Sequence, residues 1–315
     1  MAGVAALSAA LAGWRHQAGV SADTRGACLI AGCGDTGIRI ANLLVAQGRK
    51  VYGLRRSSAA LPPNIIPIVA DLTDSATLHS LPADIETLVY LPTPRQRTYD
   101  AYSQIFRDGL ECLLTALPQA AATLRRIVFV SSSAVYGEHH GAWVDEETAC
   151  RPLAFNGQIL LNTEQWLLQN FANACVLRFA GIYGPGRMRL IEDVRAQKVR
   201  VHAGAVRYTN RIHVDDAAAA VVHVLGLQQA LPIYNVVDDL PAADGDVYDW
   251  LADKLDVARP KREDKSLIDT LGNKRVSNAR LRASGFAPGY ADYRAGYGAM
   301  LDTPAPVETH GSSRS

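Results

Sequence analysis

Gly32-Cys33-Gly34-Asp35-Thr36-Gly37 joins a short apolar run, Ala27 to Ala31, to a stretch in which Ile38, Leu43, Leu44 and Val45 share one helical face. No other segment restricts the possible folds so strongly. The apolar run, bounded by turn residues, reads as a buried strand. The helix after it stops at Gly48, a position suited to a left-handed cap. In a loop of this spacing Gly32 permits the tight turn, Gly34 lets the backbone approach a pyrophosphate, and Gly37 lets helix and strand pack closely. The first turn of the helix, including Asp35 and Thr36, offers free N–H groups and partial positive charge to phosphate. The segment therefore points to dinucleotide binding, the plainer alternative being a turn that happens to be rich in glycine.

Beyond the loop, strand-like and helix-like segments alternate. Val51 to Leu54, Ile66 to Ala70, Leu88 to Leu91, Ile127 to Val130 and Val176 to Phe179 read as strands, with helical stretches at Ser75 to Ser80, Tyr99 to Leu117 and Phe155 to Asn173. This predicts an α/β fold, a Rossmann-type doubly wound parallel sheet whose ligands bind beyond the carboxyl ends of the strands. Four segments are expected: an N-terminal extension over 1–26, the dinucleotide-binding domain over 27–180, a smaller C-terminal α/β lobe over 181–301, and a disordered tail over 302–315.

Composition excludes other classes of partner. A 48% hydrophobic and 20% charged chain is that of a soluble globular protein, and a net charge of +1 recruits neither nucleic acid nor an anionic membrane. The apolar stretch Val4 to Ala12 is interrupted by Arg15 and His16, too soon for a membrane span, and reads as an extra helix or frayed end. Five cysteines without a CxxC pair, and without histidines at metal spacing, suggest free thiols in a reducing cytoplasm and no metal.

The second strand ends in Arg55-Arg56, where an acidic residue would bind the adenosine ribose of NAD. A guanidinium there suits a 2′-phosphate, so NADP(H) is favoured and NAD(H) remains possible. Asp71, ending the third strand, is placed either to approach the adenine edge or to cap the turn that follows.

Further motifs lie in a fixed order: Ser131-Ser132-Ser133-Ala134-Val135-Tyr136-Gly137, Leu177-Arg178-Phe179-Ala180-Gly181-Ile182-Tyr183-Gly184-Pro185-Gly186-Arg187, Ile212-His213-Val214-Asp215-Asp216 and Tyr234-Asn235-Val236-Val237-Asp238-Asp239. With the glycine loop, this order resembles the extended short-chain dehydrogenase/reductases of the NAD(P)-dependent epimerase/dehydratase type, over about Ala27 to Leu301. The resemblance implies an oxidoreductase or epimerase acting on a nucleotide-sugar-like small molecule, with Ser132 bonding the reacting oxygen. It also implies backbone contact near the nicotinamide-side ribose from the loop at Leu91, and a homodimer built on the helices at Tyr99 to Leu117 and Phe155 to Asn173.

Members of that group place a Tyr and, four residues later, a Lys at the start of the next long helix, often with a Glu four residues beyond. Aligned on Glu164, this chain has Asn156 and Leu160 at those places, as in atypical members that keep the binding loop and lose the dyad. An amide cannot act as acid or base near neutral pH, and leucine supplies no charge. Tyr136, with His140 four residues on, is the candidate substitute; Tyr183 and His213 read as structural, with the Asp215-Asp216 pair capping the following helix. Arg187, Arg189 and Arg211 either bind substrate anions or are solvated. The alternative to an enzyme is a non-catalytic NADP(H)-binding regulatory or redox-sensing module.

Overall fold

The computed structural model of the chain describes residues 26–117, 124–204, 206–263 and 272–302; the expected N-terminal extension, save Gly26, and the tail, save Asp302, lie outside these. Seven parallel strands form the central sheet: β1 (Ala27–Ala31), β2 (Val51–Arg55), β3 (Ile66–Val69), β4 (Ile85–Tyr90), β5 (Arg126–Ser132), β6 (Ala174–Phe179) and β7 (Ile233–Val236). Their order across the sheet is β7-β6-β5-β4-β1-β2-β3. The direction of winding reverses between β1 and β4, and the crevice at such a reversal is where ligands bind.

The strands are apolar on both sides because both faces are covered. Leu29, Leu88, Ile127 and Phe129 point into one buried cluster. Cys28, Ile30, Val89 and Val128 point into the other, which helices α1 (Asp35–Ala46) and α5 (Val214–Gly226) close with Ile40, Leu44, Ala217 and Val221. On the first face lie α2 (Tyr99–Tyr102), a π-helical segment Ser103–Asp108, α3 (Gly109–Ala116) and α4 (Phe155–Asn170). The expected continuous helix from Tyr99 is thus interrupted. Within the wide π turns the Ile105 carbonyl accepts the buried Tyr90 hydroxyl, and a Cβ at Gly109 would lie 2.9 Å from that hydroxyl. The helix expected at Ser75 to Ser80 shrinks to a single 3₁₀ turn, Ser75–Thr77, capped by the Asp74 carboxylate.

The boundary expected at residue 180 does not divide the chain in space. After a parallel pair, Gly181–Tyr183 with Arg211–His213, the chain returns to supply α5 and the last sheet strand. What stands apart is a smaller cluster in which Tyr183, ending the strand Gly181–Tyr183, meets Ile191, Val194, Val247, Leu251, Tyr293 and Tyr297 from short helices Arg189–Arg195, Asp244–Lys254 and Tyr293–Asp302. Sequence alternation could not reveal this return, since β7 is separated from β6 by more than fifty residues of lobe. Among the described residues no helix is long and apolar enough to cross a membrane, and no group of His, Cys, Asp and Glu is arranged to hold a metal ion.

Candidate dinucleotide cleft

A cleft of about 470 Å³ opens at the carboxyl ends of β1, β2 and β4, lined by Gly32, Cys33, Gly34, Leu54, Arg55, Arg56, Pro92, Thr93 and Arg95 among others. The three loop glycines have different physical reasons to be glycine. Gly32 has φ +90°, and a Cβ there would lie 2.5 Å from the Pro92 backbone, so β1 and the loop after β4 could not approach. At Gly37 a Cβ would press to 3.2 Å on both the Gly32 carbonyl and Ile30, which is the tight helix-on-strand contact. At Gly34 it would meet nothing nearer than the Gly32 carbonyl, at 4.0 Å. The protein's own packing therefore has no need of a glycine at position 34; the space it leaves faces the cleft.

Gly34 caps α1 without a side-chain partner, leaving the first-turn amides available. Cys33, inside the loop, is fully buried; burial pushes its thiol up to about 11, and its Sγ would sit 2.9 Å from a Cβ at Gly53. It is a packing residue. All five cysteines are free thiols.

One end of the cleft is strongly cationic. Arg55 and Arg56 line it as the strand end suggests, and Arg95 joins them from the loop after β4. Arg55 also donates to the Ala59 carbonyl, which ties it to the loop following β2. Asp71 is not among the lining residues. Its Oδ1 accepts from the Thr73 amide at 3.0 Å and the Thr73 hydroxyl at 2.8 Å, as the capping alternative describes, while Ala70 and Leu72 on either side line the cleft. Burial works to raise its pKa, but those bonds and the Arg56 and Arg95 charges hold it below the ordinary value. Leu91 donates its amide to the Ala31 carbonyl at 2.9 Å; the next two residues, Pro92 and Thr93, line the cleft instead.

Outside the residues that line the cleft, the end of β5 forms a second, polar wall. Ser132 is half-buried and its Oγ accepts from the Ala134 amide at 3.2 Å, capping the 3₁₀ turn Ser133–Tyr136. Tyr136, offered as a substitute acid–base, lies elsewhere: it has no exposed surface, donates to Asn235 Oδ1 at 2.8 Å and accepts from Arg178 Nη1 at 3.0 Å. Burial pushes its pKa to about 12. With both roles of the hydroxyl filled inside the protein, the catalytic expectation for Tyr136 is replaced by a structural one. His140 is fully on the surface, its side chain 94% exposed.

Arg178 lies between Leu177 and Phe179 near the end of β6, the strand next to the sheet edge, within a motif to which the sequence assigns it no separate role. It forms a buried ion pair with Glu164 on α4, Nη2 to Oε2 at 2.7 Å and Nε at 3.1 Å, while Ser131 donates to the same carboxylate. Burial alone would lower the Arg178 pKa; the Glu164 charge and hydrogen bonds outweigh it and raise the value. A charged residue inside an otherwise apolar strand, with a Glu one helix away, was the available signal.

The start of α4 is pressed on this wall. A Cβ at Gly157 would lie 2.9 Å from the Ala134 carbonyl. Beside it Asn156 is buried with its Oδ1 lacking a hydrogen-bond partner among the described residues. One turn on, Leu160 joins the apolar cluster that contains Phe129 and Val135.

On the lobe side, His213 caps α5 itself, its Nδ1 accepting from the Asp215 amide at 3.3 Å. The Asp pair has other partners: Asp215 takes Arg39 Nη1 at 2.5 Å, and Asp216 accepts from the Gly289 and Tyr290 amides. Burial lowers the His213 pKa to about 4. Tyr183 packs edge-on to His213 and its ring meets Tyr297 at 4.4 Å, a structural placement. Arg189 is exposed, Arg211 buried, and Arg187 crosses to Asp35 and Thr36 of α1.

The family model described as the NAD dependent epimerase/dehydratase family matches residues 28–237. A solved structure from Methylobacillus flagellatus, described provisionally as an NAD-dependent epimerase/dehydratase, is 36% identical, with a TM-score of 0.74 over 88% of this chain and 98% of that one. Protein YeeZ of Escherichia coli K12 is 26% identical over 276 residues, 84% of this chain and 96% of its own. The UDP-glucose 4-epimerase of Thermus thermophilus, solved as a complex with NAD, shares the fold at 21% identity, with a TM-score of 0.70 over 88% of this chain and 97% of that one. Motif order, sheet topology and these likenesses agree, and the chain belongs to the NAD dependent epimerase/dehydratase family.

Proposed function

We propose that the protein binds a nicotinamide dinucleotide in the cleft beyond β1 and β4, prefers the phosphorylated form NADP(H), and presents it to a nucleotide-sugar-like substrate. The observation that carries this reading is Gly34, a glycine that the surrounding protein does not require and that leaves the α1 amides approachable. The preference for NADP(H) rests on Arg55, Arg56 and Arg95, guanidinium groups suited to a 2′-phosphate, and on a lining without a carboxylate to receive ribose hydroxyls. The cofactor supplies hydride transfer. This chain's contribution is to hold the phosphates at α1 and to present Ser132 as a hydrogen-bonding group for the substrate oxygen.

A second reading, a binding module without turnover, is favoured by Asn156 and Leu160. Neither exchanges a proton, and general acid–base catalysis is worth roughly 10²–10⁴-fold. Fluorescence titration with NADPH and NADH tests binding, followed by turnover assays with nucleotide sugars. Gly34→Ala is expected to keep the thermal midpoint of the wild type and lose dinucleotide affinity; retention of affinity would defeat the reading. Arg55→Asp is expected to weaken NADPH about tenfold or more relative to NADH. Turnover that vanishes in Ser132→Ala favours the enzyme, and tight binding with no turnover favours the module.

A further inference from the structure

The carboxylate of Asp35 stands in the first turn of α1, where a bound diphosphate needs the amides for itself. An anion built into that place competes with the ligand on two counts: it repels phosphate, and its oxygens are natural acceptors for the same N–H groups. In the structure neither oxygen is turned to them. Oδ1 receives Arg39 Nε at 3.3 Å, and Oδ2 receives Arg187, whose other nitrogen donates to Thr36 Oγ1 at 3.0 Å. Burial favours the protonated form of Asp35, but the Arg187 hydrogen bond and the Arg39 and Arg187 charges hold its pKa below the ordinary carboxylate value.

Arg187 arrives from a distant part of the chain on a turn shaped to deliver it. Its amide closes on the Gly184 carbonyl at 2.9 Å. Gly184 has φ +140°, and a Cβ there would come within 2.5 Å of Val214, so the turn is wedged against the start of α5; Gly186 has φ +85°. At the same junction Arg39 bridges Asp35 to Asp215 of α5. The guanidinium is thus set at the mouth of the glycine loop by backbone that only glycine adopts easily.

We propose that Arg187 is a positioning residue for the diphosphate: it draws the Asp35 carboxylate off the amides that open α1 and cancels its charge, leaving those amides to the ligand. This rests on the dinucleotide reading above. It goes further in making affinity depend on an arginine of the lobe side acting through Asp35.

The experiment compares NADP⁺ with adenosine 2′-phosphate, which carries no diphosphate, by calorimetry on the wild type, Arg187→Ala, Asp35→Asn and the double variant. Arg187→Ala is expected to weaken NADP⁺ by about tenfold, the worth of one charge-assisted contact, and to leave adenosine 2′-phosphate unchanged. Asp35→Asn should bind NADP⁺ at least as tightly as wild type, and the double variant should match Asp35→Asn. Unchanged NADP⁺ binding in Arg187→Ala overturns the proposal, as does a double variant as weak as Arg187→Ala, because the arginine would then act without Asp35. Equal losses of both ligands also overturn it, since they indicate general disruption. Should Arg187→Ala fail to fold, weaker NADP⁺ binding by Asp35→Asn alone overturns it. A wild type that binds neither coenzyme refutes the dinucleotide reading itself, an outcome distinct from all of these.

Discussion

Replacing Glu164 by alanine should be among the most destabilising single changes available in this chain. The carboxylate and its partner guanidinium retain only 1% and 4% of their side-chain exposure. The carboxylate accepts from Arg178 Nε and Nη2 and from Ser131 Oγ, so its removal strands three donors at once. Ser131 can rotate to another acceptor. Arg178 cannot discharge, because an arginine does not deprotonate in a protein, and the neutral Tyr136 hydroxyl that accepts from its Nη1 cannot balance its charge. Leaving one partner of a buried pair charged and alone costs about 3–5 kcal/mol. With a urea m-value of about 3 kcal/mol/M for a chain of this size, the midpoint should fall by about 1–1.7 M.

Unfolding followed by far-UV circular dichroism and by tryptophan fluorescence reads this directly, since Trp166 lies on the same helix as Glu164. The double variant Glu164→Met/Arg178→Met separates the cost of breaking the pair from its net worth. Apolar replacement of both partners should recover most of the loss, giving a strongly non-additive cycle. A loss below about 1 kcal/mol in Glu164→Ala would refute the reasoning, because it would mean that water reaches Arg178 and the pair is not desolvated. The result bears on the end of β5 as well as on stability: Ser131, held by this pair, is the immediate neighbour of Ser132.

Tyr136→Phe should cost about 1–3 kcal/mol, leaving Asn235 Oδ1 without its donor and Arg178 Nη1 without its acceptor, while NADPH affinity stays at the wild-type value. Unchanged stability with abolished turnover would return the residue to catalysis. Asp238 is 2% exposed with Oδ2 unpartnered, and burial raises its pKa from 3.8 to about 8. Between those values the folded protein keeps a proton that the unfolded chain has released, so this residue's stabilisation is complete below pH 3.8 and disappears as pH climbs through about 8. Chemical denaturation at pH 6 and 8.5 should show a smaller decline in Asp238→Asn than in wild type; equal declines would count against it.

How much of this could be read from residues alone depended on whether the determining interaction was local. The glycine loop was legible because its spacing and the Gly37–Ile30 contact lie within one strand–helix unit, although the Pro92 backbone that crowds Gly32 does not; the left-handed cap at Gly48, with φ +79°, is equally local. The parallel sheet followed from alternation, but its seventh strand did not, because a whole lobe is inserted before the chain returns. Arg55 and Arg56 could be placed from strand position, whereas Arg95 reaches the same cleft from a proline-flanked loop that carries no periodic signal. Tyr136 misled for a related reason. Its spacing to His140 suggested an acid–base pair, but the 3₁₀ turn buries the tyrosine and leaves the histidine in solvent.

The polar groups behind the wall bear on the choice between enzyme and module. Cofactor binding by itself does not require a costly buried network to hold Ser131 beside Ser132. Here Ser131, Glu164, Arg178, Tyr136 and Asn235 are joined in one buried chain of hydrogen bonds, which fixes the backbone at Ser132 with little freedom. The unpartnered Oδ1 of buried Asn156 belongs to the helix that packs on the same turn. An acceptor left without a donor in the protein is satisfied by an ordered water or by a ligand donor. One side of this wall is thus held by a buried network, while on the other Asn156 Oδ1 has no partner among the described residues.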